Sequence, residues 1–280
     1  MRIVAGNELI DTIEQLCIRA CYALPRDVEA ALQCARREEP WPLAQHVLDQ
    51  LMDNARIAQQ GEVPICQDTG MAVVVLRIGQ QVQIAGGALR ELVDEGVRRG
   101  YRNGYLRKSV VQDPLRRVNT LDNTPALLHV ELVPGDAVEV TVAPKGFGSE
   151  NMRRLAMLKP AEGEAGVRQF VIETVRLAGS NPCPPIVVGV GIGGSFDTVA
   201  WHAKHALLRE IGTVHPDPFY AQMEAELLQQ INALGIGPQG LGGRTTALAV
   251  HIETAPTHIA GLPCAVNLNC HVTRHASAII

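Results

Sequence analysis

Apolar residues recur at helical spacing from Asn7 to about Gln60. The members of this pattern are Leu9, Ile13 and Leu16, then Val28, Ala31 and Leu32, then Leu43, Val47 and Leu51. Residues three or four positions apart share one face of a helix, so each group predicts a helix with one buried face. Pro25 and the segment Pro40–Pro42 separate the groups, and proline interrupts helices. The pattern therefore predicts three amino-terminal helices.

After Gly61 the pattern changes to short runs rich in β-branched residues. Such runs at Met71–Ile78 and Val138–Val142 predict strands, and helical spacing returns at Ile84–Arg99. We expect a mixed α/β (α+β) fold, in which a helical amino-terminal region is followed by a mixed-sheet domain. No repeat divides the chain, so we expect one domain over residues 1–280, with a helical subregion at residues 1–60.

Two regions dense in glycine and proline, Gly179–Ser195 and Gly235–Gly243, predict tight, ordered loops because apolar residues are interleaved in both. Within the first, residues 189–194 match the G-x-G-x-x-G pattern of dinucleotide-binding loops, ahead of a predicted helix at Phe196–Leu208. Glu210 lies at the distance where a dinucleotide site has the acidic residue that binds the ribose. No strand leads into Glu210, however, which argues against a nucleotide site. Two interpretations stay open: an anion site for a substrate carboxylate, and close packing through glycine.

Composition and charge argue against several classes of partner. The chain has 280 residues, 46% of them hydrophobic, and a formal net charge of −4. It has no basic stripe, so nucleic acid is not an expected partner. No run approaches the roughly 18 consecutive apolar residues of a membrane span, and the amino terminus lacks a signal-peptide pattern. We therefore expect a cytoplasmic protein without a membrane partner.

The seven cysteines fall into two groups. Cys66, Cys183 and Cys270 stand in loop-like contexts flanked by Pro, Gly or Asn. Three converging loop thiolates suit a cubane iron-sulfur cluster, whereas widely spaced single cysteines do not match the CxxC pair of a zinc site. The alternative for each is a small buried apolar residue. That packing role is the one expected for the other four, Cys17, Cys21, Cys34 and Cys264.

A cluster with three protein ligands leaves one iron open, and that iron can act as a Lewis acid in hydration chemistry. Such chemistry also needs acid and base groups, and cations to hold substrate carboxylates. The candidates for these roles are Asp68, Arg107, Lys145, His258, His271 and His275. Asp68 before Thr69 and Gly70 equally predicts an Asx turn, and a lone Arg or Lys is commonly a solvated surface residue.

Five stretches of the chain resemble one known family. They are VPICQDTGMAVV from Val63, NTPALLHVELVPGD from Asn123, KGFGSENMRRLAMLKPAEG from Lys145, NPCPPIVVGVGIGGSFDTVA from Asn181, and the segment Leu234–His275, which ends in NLNCHVTRH. Together they resemble the alpha subunit of the two-subunit, class I iron-sulfur fumarases and L(+)-tartrate dehydratases. The resemblance covers nearly the whole chain after Gly61.

The resemblance implies a 4Fe-4S cluster bound by Cys66, Cys183 and Cys270, with substrate at the fourth iron. It implies that Gln67 and Asp68 reach the substrate, and that Asp68 supports a threonine base on the other half of the family's active site. His258 is expected to face the substrate as a catalytic residue, as are Gln67 and Asp68, and the expected substrate-binding residues are Arg107, Lys145, Gly146 and Gly148. Phe147 departs from the small residue that the family has at the middle of this glycine loop.

The other half of the family's active site is expected on a beta subunit, in a hetero-oligomer built on a dimer. The predicted function is a hydro-lyase that reversibly hydrates fumarate to malate, with L(+)-tartrate dehydration as the alternative on a similar small dicarboxylate. A non-enzyme alternative is a regulatory protein that binds a nucleotide or an acid at the glycine-rich regions Gly179–Ser195 and Gly235–Gly243. The three loop cysteines beside Asp68 speak against that alternative.

Overall fold

A computed structural model of the protein describes residues 1–280, which its contacts group into two compact units. The first unit comprises Met1–Pro25, Asn54–Phe147 and Arg274–Ile280, and the second comprises Arg26–Asp53 and Gly148–Thr273. The expectation of one domain stays a prediction, because compactness does not show which parts fold independently.

Three consecutive helices follow a short first strand, helices and strands are then interspersed, and three consecutive strands end the chain. The helices are α1 (Gly6–Tyr22), α2 (Arg26–Glu38), α3 (Pro42–Gly61), α4 (Leu89–Asn103), α5 (Phe147–Glu150), α6 (Gly163–Ala178), α7 (Phe196–His205) and α8 (Pro218–Asn232). The strands are β1 (Arg2–Ala5), β2 (Met71–Gly79), β3 (Val82–Ala85), β4 (Leu127–Val133), β5 (Val138–Lys145), β6 (Arg154–Leu158), β7 (Ile186–Gly194), β8 (Ala247–Thr257), β9 (Leu262–Asn269) and β10 (Ala276–Ile279). The mixed α/β class and the helical amino-terminal region are thus confirmed. None of the helices is both long and apolar enough to span a membrane.

The first unit contains a four-stranded sheet with strand order β10-β5-β2-β4 and a parallel pair, β1 and β3. Strand β2 runs parallel to β4 and antiparallel to β5. Alternate side chains of β2 and β5, such as Val74, Leu76 and Val140, join α1 and α4 in one buried core. The predicted helix at Ile84–Arg99 begins later, at Leu89, because Ile84 belongs to β3 and two glycines with positive φ, Gly86 and Gly87, follow that strand.

The second unit contains a four-stranded sheet with strand order β6-β9-β7-β8. Strand β7 is parallel to β8 and antiparallel to β9. One face of this sheet packs in a core with α6 and α8, and the other packs against α7. Residues 186–194 are therefore a buried strand and not the loop expected from their glycine content.

Glycines of β7 allow α7 to lie directly on the sheet. A Cβ added at Gly189 would stand 2.2 Å from the carbonyl oxygen of Ala203, and one at Gly191 would stand 2.3 Å from that of Val199. The first two glycines of the G-x-G-x-x-G pattern thus sit inside a strand, where they permit close packing. In a dinucleotide site they would occupy the turn between strand and helix, so the packing interpretation is favoured.

Candidate active site

Cys66 lies on the segment that joins α3 to β2. Its side chain is half-buried, and its thiol donates to Oε1 of Gln67 at 3.3 Å. The amide of Asp68 donates to Sγ of Cys66 at 3.4 Å. The preceding residue, Ile65, is fixed from both sides, since its amide donates to the Cys21 carbonyl at 3.0 Å and its carbonyl accepts from Nδ2 of Asn54 at 2.9 Å. The thiol therefore stands on an anchored segment beside two of the predicted site residues.

The carboxylate of Asp68 joins two loops of the first unit. Its Oδ1 accepts from the amide of Gly70 at 3.0 Å, which is the Asx turn weighed from the sequence. Its Oδ2 accepts from the amide of Phe147 at 2.8 Å. Gly146 leaves room for this contact, because a Cβ there would stand 3.2 Å from the same oxygen. Asp68 is therefore held rigidly by two main-chain donors, one local and one distant in sequence.

The two loops also approach each other backbone to backbone. Gly70 has φ +72°, and a Cβ there would stand 2.4 Å from the carbonyl oxygen of Lys145. Lys145 is buried, with Nζ 3.4 Å from the Gly146 carbonyl that accepts its hydrogen bond. Arg107 is exposed, but its carbonyl accepts from Oγ1 of Thr69 at 3.1 Å. The structure thus gathers the main chain of Asp68, Lys145 and Arg107 in one part of the first unit.

Cys183 and Cys270 come together at one edge of the sheet in the second unit. Cys183 is exposed and precedes β7, whereas Cys270 is half-buried and directly follows β9. Because β7 and β9 are antiparallel and pair Val187 with Asn269, the start of one strand meets the end of the other. The amide of His271 donates to the Cys183 carbonyl at 3.1 Å and links the two loops.

Gln239 reinforces the same edge, and sequence reasoning missed it. Its amide and its Nε2 both donate to the Pro184 carbonyl at 2.8 Å, and Nε2 lies 3.1 Å from Nδ1 of His271. Gln239 has φ +54° inside the glycine-rich stretch Gly235–Gly243. The only signal in the sequence was that stretch, which predicts a tight turn without indicating what the turn contacts.

His258 and Gly148 lie elsewhere in the second unit. His258 is exposed in the turn that follows β8, where its Nδ1 accepts from the amide of Ala260 at 3.2 Å. Since β8 is parallel to β7, this turn lies at the opposite edge of the sheet from Cys183 and Cys270. Gly148 approaches the cysteine edge, because a Cβ there would stand 3.8 Å from the Asn181 carbonyl oxygen. Within this unit, the structure does not bring His258 to the two cysteines.

The cysteines differ in how easily they can become thiolates. None of the seven is in a disulfide. Burial raises the pKa of the Cys264 thiol to about 12, and it raises the pKa of Cys17 and of Cys21 above the usual range. A metal ligand must be a thiolate, so these three are suited to packing. Cys34 is half-buried on a helix. The three loop cysteines are the ones that lie outside helices and strands.

The donor set of Cys66, Cys183 and Cys270 fits iron-sulfur ligation in its chemistry, since the three are in no disulfide, are at least partly accessible to solvent and are held on anchored loops. No group of three or more His, Cys, Asp or Glu side chains in the structure is gathered as a metal-ion site. The chemical fit therefore rests on the nature of the loop thiols and on the meeting of Cys183 with Cys270.

Comparison with known proteins gives a match over nearly the whole chain. A family model described as Fumarate hydratase (Fumerase) matches residues 10–279. The chain is 42% identical over 275 residues to the Methanocaldococcus jannaschii protein named "Putative L(+)-tartrate dehydratase subunit alpha", and the match covers 96% of each protein. It is 32% identical over 280 residues to the L(+)-tartrate dehydratase subunit alpha of Escherichia coli O157:H7, covering 99% of this chain and 92% of the relative. The corresponding protein of Escherichia coli K12 is 31% identical over the same length and with the same coverage.

Proposed function

Since the chain belongs to the fumarate hydratase (Fumerase) family of hydro-lyases, we propose that it is the alpha subunit of an L(+)-tartrate dehydratase. The observation that carries the proposal is its similarity to proteins named as such subunits, at 42% identity over 96% of the chain for one of them. The same names favour L(+)-tartrate, the alternative given from the sequence, over fumarate, the substrate predicted there. They also support assembly with a beta subunit.

The proposed reaction removes one water molecule from a hydroxylated four-carbon diacid. A C–O bond breaks at one carbon, a C–H bond breaks at its neighbour, and the pair of electrons left behind forms the double bond. From L(+)-tartrate the product is the enol of oxaloacetate, which tautomerises to the 2-oxo acid. The chemistry requires a group that polarises the departing hydroxyl, a base for the carbon-bound proton, and cations for the two carboxylates.

We assign the polarising role to a 4Fe-4S cluster held by Cys66, Cys183 and Cys270. When bound with three thiolates, such a cluster supplies an iron with an open position that acts as a Lewis acid toward the substrate hydroxyl and carboxylate. The three loop thiols are in no disulfide and are at least partly exposed, which supports this assignment. So does the adjacency of the Cys183 and Cys270 loops at one sheet edge.

Side chains of this subunit would bind and orient the substrate. Asp68, fixed by the amides of Gly70 and Phe147, offers a rigid acceptor that would align the base on the beta subunit. Gln67, exposed next to Cys66, would donate its amide to the substrate. Arg107 would pair with a carboxylate through its exposed guanidinium, while the contact of its carbonyl with Thr69 fixes its main chain.

The remaining proposed contacts have unequal support. Lys145 carries a buried ammonium group at the start of the glycine loop, where Gly146 and Gly148 would let the substrate approach the main chain. The role of His258 rests on the family resemblance alone, because the structure sets it at the sheet edge opposite Cys183 and Cys270.

The test is to express the chain with its beta subunit, reconstitute iron and sulfide without oxygen, and follow oxaloacetate formation from L(+)-tartrate. We expect about four iron atoms per chain in the parent, and loss of both iron and activity in Cys66→Ser, Cys183→Ser and Cys270→Ser. Cys34→Ser is the matched control, since Cys34 is a half-buried cysteine on helix α2, and it should keep both.

Two results would contradict the proposal in different ways. If the parent binds iron but converts malate and fumarate in preference to tartrate, the proposed hydro-lyase activity stands and the proposed substrate is wrong. If the parent binds little iron, or if all three serine variants retain their iron, the cluster assignment is wrong.

A further inference from the structure

Three consecutive carbonyl groups of the Cys66 loop, those of Asp68, Thr69 and Gly70, each accept a hydrogen bond from a buried side chain. The donors are Tyr101, Asn123 and Arg274, all of the first unit. Thr69 and Gly70 are buried and Asp68 is half-buried, and a buried main-chain carbonyl away from water needs a hydrogen-bond donor from the protein. Here the chain satisfies them with three side chains drawn from distant parts of the sequence.

Tyr101 is fully buried on helix α4. Its hydroxyl donates to the Thr69 carbonyl at 2.8 Å and lies 3.1 Å from the Gly70 carbonyl. Burial raises the pKa of this hydroxyl well above its usual range, so the group stays a donor at any ordinary pH. One phenol therefore fixes two successive peptide groups directly after Asp68.

Asn123 is fully buried and ties the Cys66 loop to the segment that carries Arg107. Its Nδ2 donates to the Gly70 carbonyl at 3.1 Å. Its Oδ1 accepts from the amides of Ser109 and Val110 at 2.7 Å and 3.2 Å. A side-chain amide can hold both segments in this way because it is donor and acceptor at once.

Arg274 is buried and ties the Cys66 loop to the segment that leads into the glycine loop of Lys145. Its Nη2 donates to the Asp68 carbonyl, and its Nε donates to the Pro144 carbonyl at 3.4 Å. Pro144 immediately precedes Lys145 and the glycine loop whose Phe147 amide binds the Asp68 carboxylate. The guanidinium thus fixes both main-chain segments that meet at Asp68.

We propose that Tyr101, Asn123 and Arg274 are positioning residues that form a buried support beneath the loop of Cys66, Gln67 and Asp68. The proposal rests on the proposed function, which makes that loop part of a hydro-lyase site. A reacting site needs its groups held within about 0.5 Å of the productive geometry, which a loop hydrated on all sides does not provide. The support holds Asp68 against the glycine loop and holds the Arg107 segment beside it.

The decisive variant is Tyr101→Phe, which keeps the buried ring and removes only the shared donor. Its matched control is Tyr22→Phe, because the hydroxyl of Tyr22 also donates to a main-chain carbonyl of the first unit, that of Gly104, at 3.0 Å. In the reconstituted two-subunit enzyme we expect Tyr101→Phe to lower kcat about tenfold, with KM nearly unchanged. The reason is that loss of roughly one hydrogen bond raises the activation free energy. Tyr22→Phe should retain the parent kcat.

Amide hydrogen exchange supplies a readout independent of turnover. We expect Tyr101→Phe to speed exchange at residues 66–70 and 145–147, while the exchange of β7 and β9 stays as in the parent. Arg274→Lys, which keeps the charge but loses the planar fork, should produce the same local effect and serves if Tyr101→Phe does not fold.

The outcomes separate the two levels of the proposal. If Tyr101→Phe keeps the parent kcat and exchange pattern, or if Tyr22→Phe loses as much kcat, the support has no positioning role. If the parent itself dehydrates neither tartrate nor malate, the proposed function fails, and the exchange data still decide whether the three side chains hold the loop.

Discussion

At the scale of single residues, buried ionisable groups carry their own pH dependence. His251 lies buried on β8, with Nδ1 3.2 Å from the Ala206 carbonyl oxygen. Burial, assisted by the positive charge of Arg209, lowers the pKa of this imidazole to about 4. The folded protein therefore keeps His251 neutral over a pH range in which the unfolded chain binds a proton.

His251 should destabilise the fold as the pH falls from about 6.5 to about 4. In that window the unfolded state binds the proton and the folded state does not, so the free energy of unfolding falls as the pH is lowered, by roughly 3 kcal/mol in total. Above pH 6.5 the contribution is constant, because neither state is protonated. Urea unfolding at pH 7, 5.5 and 4 measures the effect.

The histidine's share appears as a difference between variants, since carboxylates titrate in the same window. His251→Gln should lose less stability than the parent between pH 7 and 4. His46→Gln, at an exposed position of helix α3, should follow the parent. Parallel curves for the parent and His251→Gln would show that the imidazole is protonated in the folded state as readily as in the unfolded one.

At the scale of elements, the contact between β7 and α7 depends on glycine. Gly191 is inside β7, and a Cβ there would stand 2.3 Å from the Val199 carbonyl oxygen and 2.7 Å from the Ala203 amide nitrogen. Both atoms belong to the backbone of α7, which cannot move aside as the end of a flexible side chain can. The same close approach exists at Gly189.

Gly191→Ala should lower the free energy of unfolding by about 3 kcal/mol, since the helix must shift away from the strand. Gly61→Ala is the control: a Cβ there would meet only a side-chain carbon of Val63, at 3.7 Å, and alanine favours the helical backbone of α3. Chemical denaturation of both variants measures the difference. Equal stability of Gly191→Ala and the parent would mean that the strand and helix are not in direct backbone contact.

The pairing of elements also decides which candidate residues meet. The antiparallel register of β7 and β9 joins the Cys183 and Cys270 loops, and the parallel register of β7 and β8 sends His258 to the other edge. The two cysteines are 87 positions apart in sequence, and His258 is only 12 positions from Cys270. Sequence distance is therefore a poor guide to which of these side chains act together.

At the scale of the whole molecule, the proposed site is shared with a second subunit. The relatives are named as alpha subunits. The proposed base would come from the beta subunit. Each subunit alone would bind the substrate incompletely and would lack one partner of the acid–base pair.

The chain with iron restored but without its partner should therefore form no oxaloacetate from L(+)-tartrate above background. Addition of the beta subunit should restore turnover without changing the iron content of the alpha chain, since the proposed ligands all belong to it. Coupled reduction of oxaloacetate with NADH measures the rate. Turnover by the isolated chain would place the base on this subunit and contradict the division of roles.

Local patterns in the sequence determined the class of the fold and much of its outline. The spacing of Leu9, Ile13 and Leu16 depends only on neighbouring residues, as a helix does, and the same holds for the β-branched run that forms β2. The loop contexts of the cysteines and the family resemblance likewise follow from short contiguous stretches, although the roles assigned to the site residues remain predictions.

The tertiary structure alone decided which of these stretches meet. Strand register joined Cys183 to Cys270, the Phe147 amide found the carboxylate of Asp68, and glycine-rich residues 189–194 became a buried strand because α7 packs on them. The support from Tyr101, Asn123 and Arg274 has no local signature, since a buried hydrogen bond is specified by two distant groups. Sequence patterns record the periodicity of one segment, and contacts between segments depend on how the whole chain packs.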